Sequence, residues 1–208
     1  MTGEHHPQDS ETTTAPQGVS LLLVRHGRTA LNAAGQLRGR LDPPLDEIGV
    51  VQVAALAHAL APYRPALVVS SPLTRALQTA APIARVSGVE VLVDEDLIDR
   101  DYGRWAGHTP AEVEDQWGSV DRAPGVEPWE SLSGRAAGML HKDFGAGPVV
   151  LVTHDAVLHA MLQHLDPGYT TAPHDPAGWD VLTLDEAGQL HLDGINLHAS
   201  RQPSRAQH

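Results

Sequence analysis

Short apolar runs alternate with helix-like segments along most of the chain, and this alternation limits the fold more than any other feature. Strand-like runs lie at 18–24, 65–70, 89–97 and 147–154, and a hairpin with its turn at 186–188 is expected within 178–198. Apolar residues at helical spacing lie at 46–62, 71–87 and 155–165. Strands that alternate with helices favour a parallel sheet covered on both faces. The pattern therefore predicts an α/β protein with three layers, α/β/α, and a mainly parallel central sheet.

Two helix starts and one helix interior carry recognisable signals. Asp46 is a good N-cap for the first long helix, and Ser71 followed by Pro72 is typical of the start of the second. Pro82 falls inside the second helix and is expected to kink or divide it, because proline removes a backbone donor.

The segment 101–147 has weak periodicity and is rich in glycine, proline, tryptophan and acids. Short helices are expected around 111–117 and 131–144, within irregular structure over a site. Trp105, Trp117 and Trp129 either form the wall of a pocket there or pack against the body of the domain.

The length and composition favour one globular domain at 18–200, with polar tails at 1–17 and 201–208 that are expected to lack fixed structure. His5 and His6 lie in the first tail and are not expected to bind a metal. The absence of cysteine excludes thiol nucleophiles and disulfides, and no apolar run approaches the roughly 18 residues of a membrane span. We expect a soluble cytoplasmic protein, since no secretory signal is recognisable. Whether it forms a homodimer is left open.

The net charge of −12 argues against nucleic acid or an anionic membrane as a partner. The cations are nevertheless concentrated in the first half of the chain, and Lys142 is the single lysine. The arginines in that half include Arg25, Arg28, Arg38, Arg40, Arg75, Arg100 and Arg104. A local cationic site within an acidic protein indicates a small anionic ligand such as a phosphate or a carboxylate.

Three strand-like runs end in turns that carry charge or imidazole. If these strands are parallel neighbours, Arg25, His26, Arg75, His154 and Asp155 meet at one edge of the sheet. Cations and imidazoles repel one another there unless a dianion lies between them. His26 can then attack phosphorus as a neutral imidazole while arginines neutralise the phosphoryl oxygens, and no metal is needed. A backbone carbonyl near the Gly27 turn can fix the tautomer of the ring.

Five blocks of the chain, in this order, resemble the branch of the histidine phosphatase superfamily that includes the phosphoglycerate mutases. They are "LLLVRHGRTALN", "GQLRGRLDPPLDEIG", "SSPLTRALQTA", "LIDRDYGRWAG" and "VVLVTHDAV". The resemblance implies a phosphoglycerate mutase-like fold and a phosphohistidine at His26. It further implies a phosphate pocket completed by Arg25, Arg75 and His154, with Asn32 touching the transferring phosphate.

The proton donor has two candidates. Family members usually have a glutamate where "LIDRDYG" places Asp99, and a carboxylic acid is needed there to protonate the leaving alkoxide. Asp155 is the rival, because it directly follows His154. We favour Asp99 on the alignment of the block. Arg38 stands where many relatives have glutamine, and either Arg28 contacts a second anionic group of the substrate or it is only solvated.

The residues and the resemblance together predict a metal-independent phosphomonoesterase that acts on a small phosphorylated metabolite and needs no cofactor. A mutase-type phosphotransferase is the first alternative, although 103–148 contains few of the cations that would retain a bisphosphate intermediate. A phospholigand-binding module without catalysis is the second. A metal-dependent phosphohydrolase with a His-Asp pair is the third, but His141, His159 and His164 lack ligand-like spacing.

Overall fold

The strands of the computed structural model form one sheet within residues 18–170 and 173–199, the part of the chain that the structure describes. The strands are β1 (Val19–Arg25), β2 (Leu67–Ser70), β3 (Val91–Val93), β4 (Val149–Thr153), β5 (Trp179–Leu184) and β6 (Leu190–Leu197). Their spatial order is β3-β2-β4-β1-β5-β6. Strands β1 to β4 pair in parallel, whereas β5 runs antiparallel to both β1 and β6. The predicted mainly parallel sheet and its C-terminal hairpin are confirmed.

Helices cover both faces of this sheet. They are α1 (Ala30–Ala33), α2 (Glu47–Leu60), α3 (Thr74–Ser87), α4 (Pro110–Trp117), α5 (Trp129–Leu140) and α6 (Asp155–Leu165). Successive strand residues point to opposite faces, so Leu22 of β1 packs in the core with α2 and α3, and Leu23 packs in the core with α5 and α6. The three-layer α/β/α arrangement is thereby confirmed. None of the helices in the described ranges has the length and apolar character to cross a membrane.

The start of α3 differs from the prediction. Its N-cap is Leu73 rather than Ser71, and Leu73 has no side-chain cap hydrogen bond. The Ser71 hydroxyl lies 2.8 Å from Nε2 of His154 instead. Ser71 therefore contacts the imidazole that follows β4 and does not cap α3. Asp46 caps α2 as predicted, since its side chain accepts a hydrogen bond from the Gly49 amide.

Two further local predictions are wrong or incomplete. Pro82 lies inside α3, which continues without division from Thr74 to Ser87 because its buried face packs against the sheet. The strand predicted over 89–97 is confined to β3. The Asp94 side chain accepts from the backbone of Asp96 and turns the chain into a short 3-10 helix at Glu95–Leu97.

The predicted short helices within 101–147 are present as α4 and α5, and the tryptophans there have different roles. Trp105 is buried in a small separate core with Val113 and Ala123, and Trp117 packs against its edge. Trp129 instead lines a cleft. The two alternatives left open for these rings are therefore both realised, on different residues.

Replacement of Gly49 by alanine is expected to destabilise the fold by about 1–3 kcal/mol, because an added Cβ would collide with the backbone carbonyl oxygen of Arg28. Gly49 is in the first turn of α2, which here touches the turn after β1. Urea unfolding measures the change. Gly134→Ala is the matched control, since α5 leaves nothing within 4 Å of that position, and it is expected to stabilise by about 0.5–1 kcal/mol. Equal effects of the two substitutions would contradict the packing assigned to Gly49.

Candidate active site

The carboxyl ends of the parallel strands bring the predicted catalytic side chains together. Arg25 and His26 leave β1, His154 follows β4, and Arg75 lies in the first turn of α3 after β2. Asp99 arrives from the segment after β3. All five are buried, and His26, Arg75 and His154 have no exposed surface at all. The predicted convergence of Arg25, His26, Arg75 and His154 at one sheet edge is confirmed, and Asp155, the fifth residue of that prediction, lies beside Arg25.

The His26 ring is held in one orientation. Its Nδ1 lies 2.7 Å from the Gly27 carbonyl oxygen, which can only accept, so the ring proton is on Nδ1. The lone pair is then on Nε2, which accepts a hydrogen bond from Nε of Arg75 at 3.2 Å. Burial, together with the charges of Arg75 and Arg25, lowers the pKa of His26 well below its usual value. His26 is therefore a neutral imidazole with an available lone pair.

The turn at Gly27 is fixed from the side of α3. The Gly27 amide donates to Oγ1 of Thr79 at 3.0 Å, and that hydroxyl donates to the Arg75 carbonyl at 2.8 Å. A Cβ at Gly27 would lie only 2.7 Å from Val53. Glycine is required here for close packing, and Thr79 joins the turn to the helix that supplies Arg75.

Arg75 is fully buried and donates in four directions. Besides its contact with His26, its guanidinium donates to the carbonyls of Leu41 at 2.7 Å and Gly39 at 2.8 Å. Its Nη2 also lies 3.0 Å from Oδ2 of Asp99. These contacts fix the guanidinium between the imidazole and the carboxyl group.

His154 faces His26 across the site, with ring centroids 5.1 Å apart. The Ser71 hydroxyl can donate to Nε2 of His154, which leaves the ring proton on Nδ1. That Nδ1 is buried and has no hydrogen-bond partner in the described part of the chain, although Oδ2 of Asp99 is 3.8 Å away. Burial and the charge of Arg75 lower the pKa of His154 well below its usual value. Its Nδ1 is therefore a donor available to a ligand.

Two more buried donors lack partners within the described residues, namely Nε of Arg25 and Nε of Arg38. The charges of both arginines contribute to the lowered pKa of His26, so they lie close enough to act on the same centre. Buried, unpaired donors of like charge are costly unless an anion accepts from them. The arrangement is therefore suited to a phosphate dianion.

Asp99 is held at the edge of this cluster. Oδ1 accepts from the Arg100 amide at 2.9 Å, and Oδ2 faces Arg75. Burial raises the pKa of Asp99 despite the opposing charge of Arg75. A buried carboxyl group with a raised pKa, close to Arg75 and to the imidazole of His154, is suited to giving and taking a proton.

Asp155 occupies a different environment. It is 26% exposed, its Oδ1 accepts from the His174 amide at 2.8 Å, and it lies 3.7 Å from Nη1 of Arg25. The Arg25 guanidinium also donates to the His174 carbonyl oxygen. The structure therefore places Asp155 as a counter-ion of Arg25 and a contact of the loop before β5.

Sequence reasoning missed His174 and Asp180. Nε2 of His174 lies 2.9 Å from Oδ1 of Asp180, a fully buried carboxylate on β5. This pair anchors the loop whose carbonyl receives Arg25, so both are positioning residues. The sequence signal for this pair was Asp180, a charged residue within the apolar run of β5, because a buried charge needs a buried partner.

The remaining predicted binding residues are not equally close to the cluster. Arg28 pairs with Asp46 at 2.8 Å, on the side of α2. The Asn32 side chain forms a capping box with Thr29 at the start of α1. Arg38 has the unpaired Nε described above, and its charge contributes to the lowered pKa of His26. Its Nη1 donates to the Gln36 carbonyl.

A cleft of about 250 Å³ lies beside this cluster and is lined by Asp155, Arg100 and aromatic side chains. A larger cavity of about 610 Å³ lies at the opposite edge of the sheet, where His141 and His164 contact each other, and contains none of the site residues. Within the described residues, no group of three or more histidine, aspartate or glutamate side chains is arranged to hold a metal ion.

Comparisons with known proteins agree with this geometry. Residues 21–196 match the histidine phosphatase superfamily (branch 1). A glucosyl-3-phosphoglycerate phosphatase of Mycolicibacterium vanbaalenii is 36% identical over 160 residues, which are 68% of this chain and 71% of that protein. Phosphoserine phosphatase 1 of Hydrogenobacter thermophilus is 33% identical over 156 residues, 69% of this chain and 74% of that protein.

Solved structures show the same likeness. A mycobacterial glucosyl-3-phosphoglycerate phosphatase in complex with VO3 superimposes with a TM-score of 0.75 at 28% identity. The match covers 85% of this chain and 98% of that chain. A phosphoglycerate mutase from Bacillus anthracis, at 22% identity, has a TM-score of 0.77 over 86% of this chain and 93% of that chain, which indicates a shared fold.

Proposed function

The chain belongs to branch 1 of the histidine phosphatase superfamily and is a phosphoric monoester hydrolase, and on that premise we propose that it works without a metal through a phosphohistidine at His26. The supporting observation is the state of the His26 ring, a neutral imidazole whose lone pair is on Nε2. The substrate is a small phosphorylated metabolite, since the cleft next to Arg25 holds about 250 Å³.

In the first step, Nε2 of His26 attacks phosphorus, the Nε2–P bond forms and the ester P–O bond breaks. Arg25, Arg75 and Nδ1–H of His154 donate to the phosphoryl oxygens, where negative charge is concentrated. The carboxyl group of Asp99 gives its proton to the leaving oxygen. Its raised pKa and its place beside Arg75 support this role.

In the second step, a water oxygen attacks phosphorus while the Asp99 carboxylate accepts the proton of that water. The P–Nε2 bond breaks, its electron pair returns to the imidazole, and phosphate leaves. The same carboxyl group therefore serves as acid and then as base, and His26 is restored.

Hydrolysis is favoured over mutase chemistry because cations of the segment 103–148 are paired with other protein groups. Arg135 pairs with Glu127, Lys142 pairs with Asp94, and Arg104 lies over the ring of Trp105. Three of the four cations of this segment are thus engaged by protein groups, which leaves Arg122 and little positive charge to retain a bisphosphate intermediate. We expect no interconversion of 2- and 3-phosphoglycerate, even at high enzyme concentration.

The proposal is tested by hydrolysis of p-nitrophenyl phosphate across pH in the presence of EDTA. Phosphate release that is unaffected by EDTA and inhibited by vanadate is expected, because vanadate resembles the five-coordinate phosphorus of the transition state. Acid-labile, base-stable phosphate on the quenched enzyme would identify the phosphohistidine. Loss of activity in EDTA with recovery on adding a divalent metal would contradict the mechanism, and phosphate binding without any turnover would favour a phospholigand-binding module.

A further inference from the structure

The chemistry of the cleft beside the phosphate pocket bears on which leaving groups the site can accept. Its walls come from the residues that follow Asp99 and His154 and from the loop before β5. The lining residues are Arg100, Tyr102, Trp129, Asp155, Ala156, His159, Pro173 and His174. Two of these lining residues, Asp155 and His174, contact Arg25 of the phosphate pocket, so the leaving group of the ester would lie in this cleft.

Arg100 is the only arginine or lysine among the described residues that line this cleft, and protein groups already engage it. Its Nε and Nη2 donate to the Glu127 carbonyl at 3.0 and 2.8 Å, and its Nη1 pairs with Asp121 at 2.6 Å. Its guanidinium also lies over the rings of Tyr102 and Trp129, at 5.8 and 5.6 Å from their centroids. Arg100 therefore shapes the cleft wall and has little charge to offer a ligand.

The lining also contains the carboxylate of Asp155, which is a counter-ion of Arg25 through Oδ1. Its Oδ1 is engaged by the His174 amide, whereas Oδ2 has no hydrogen-bond partner among the described residues and the side chain is partly exposed. Burial lowers the pKa of His159, so that imidazole is neutral at pH 7. A carboxylate placed in this cleft would face Asp155 without a free cation to offset the repulsion.

We propose that the substrate is a phosphate ester whose leaving group is rich in hydroxyl groups and carries no carboxylate, and that Asp155 enforces this selectivity. The inference rests on the proposed function of the site. Hydroxyl groups donate to Oδ2 of Asp155, and the C–H face of a polyol or sugar packs on the ring of Trp129. Repulsion of carboxylates and hydrogen bonding of hydroxyl groups both favour a polyol phosphate over a phosphorylated acid.

Glycerol 3-phosphate and 3-phosphoglycerate form a matched pair of probes, because a CH2OH group in the first replaces a carboxylate in the second. We expect kcat/KM to be at least about tenfold higher for glycerol 3-phosphate, the effect of about 1.4 kcal/mol in transition-state binding. In Asp155→Asn the ratio of the two kcat/KM values is expected to fall toward one. The ratio cancels any common loss of rate, so it reports selectivity even if Asp155 also affects the chemistry.

Asp115→Asn is the control variant, since it makes the same chemical change on the exposed face of α4 and is expected to leave the ratio unaltered. A wild-type preference for 3-phosphoglycerate would overturn the inference. So would an unchanged ratio in Asp155→Asn, provided that the variant still hydrolyses p-nitrophenyl phosphate.

Binding separates this inference from the proposed function. Calorimetric titration of His26→Ala with each ester measures the preference without turnover, and tighter binding of glycerol 3-phosphate is expected. If the wild type hydrolyses neither ester nor p-nitrophenyl phosphate, the proposed function fails, yet the binding preference still decides the inference. Equal or tighter binding of 3-phosphoglycerate would contradict it.

Discussion

Replacement of His26 by alanine is expected to reduce hydrolysis of p-nitrophenyl phosphate by at least about a thousandfold while the protein stays folded. The variant removes the nitrogen that bonds to phosphorus, and nucleophile removal produces losses of this size or larger in enzymes that use covalent intermediates. The pocket donors from Arg25, Arg75 and His154 remain, so phosphate and vanadate should still bind. Steady-state kinetics, circular dichroism and a vanadate titration on the same preparation measure the three quantities.

A matched control for this variant is His58→Ala, which removes an exposed imidazole on α2 and is expected to keep wild-type activity. Because His26 is fully buried, alanine leaves a cavity, and His26→Gln provides a second variant of closer volume. Substantial phosphate release by either folded His26 variant would contradict a phosphohistidine at this position.

Asp99→Asn is expected to slow hydrolysis of an alkyl phosphate such as glycerol 3-phosphate by about a hundredfold or more. A positioned acid and base contributes about 10²–10⁴-fold to such a step, and asparagine keeps the shape of the side chain while losing the proton. The loss should be much smaller for formation of the phosphoenzyme from p-nitrophenyl phosphate, since nitrophenolate leaves without a proton. Rapid-quench measurement of the nitrophenol burst gives that step separately.

The pH dependence of the same reaction follows from the direction of the pKa shift. Burial raises the pKa of Asp99, so its acid form persists to higher pH than that of an ordinary aspartate. The rate of phosphoryl transfer from an alkyl ester to His26 therefore falls as pH rises through this pKa, because the leaving alkoxide no longer receives a proton from Asp99. His26 is neutral at pH 7 because its own pKa is lowered well below the usual value, so its titration does not produce this decline. The alkaline decline should be present in the wild type and absent from Asp99→Asn.

Asp155→Asn is the comparison that decides between the two carboxylates. Asp155 is partly exposed and paired with Arg25, whereas Asp99 is buried between Arg75 and the imidazole of His154. A smaller rate loss is therefore expected for Asp155→Asn than for Asp99→Asn. The reverse order would assign proton transfer to Asp155.

The main architecture and the centre of the site could be predicted from the sequence because both are marked by strong patterns. Buried parallel strands are continuous apolar runs, and their carboxyl ends must share one edge of the sheet. This rule predicts that His26 lies near His154. A backbone carbonyl near the Gly27 turn was predicted as the partner of the imidazole, and the structure shows that it is the carbonyl of Gly27 itself. That nucleic acid is not a partner stays a prediction, and so does the possibility of a homodimer.

Features that depend on contacts between distant segments were not predictable in the same way. Ser71 has the local signature of a helix cap, yet its hydroxyl contacts His154, which is 83 residues away in the sequence. His174 lies in a loop without periodicity, and its importance follows from Asp180 on the strand behind it. Arg100 and Trp129 come from separate segments, so their stacking at the cleft could only be seen in three dimensions.

The sheet order has a consequence for how this protein becomes active. Arg25 meets a carbonyl 149 residues further along the chain, and His26 meets a guanidinium 49 residues away. Contacts of such sequence separation form late and slowly, because the loops between them must close before the contacts stabilise anything. Local helix formation cannot bring His26, Arg75 and His154 together. Turnover is therefore a property of the completely folded chain, and its return after dilution from denaturant reports the last step of folding.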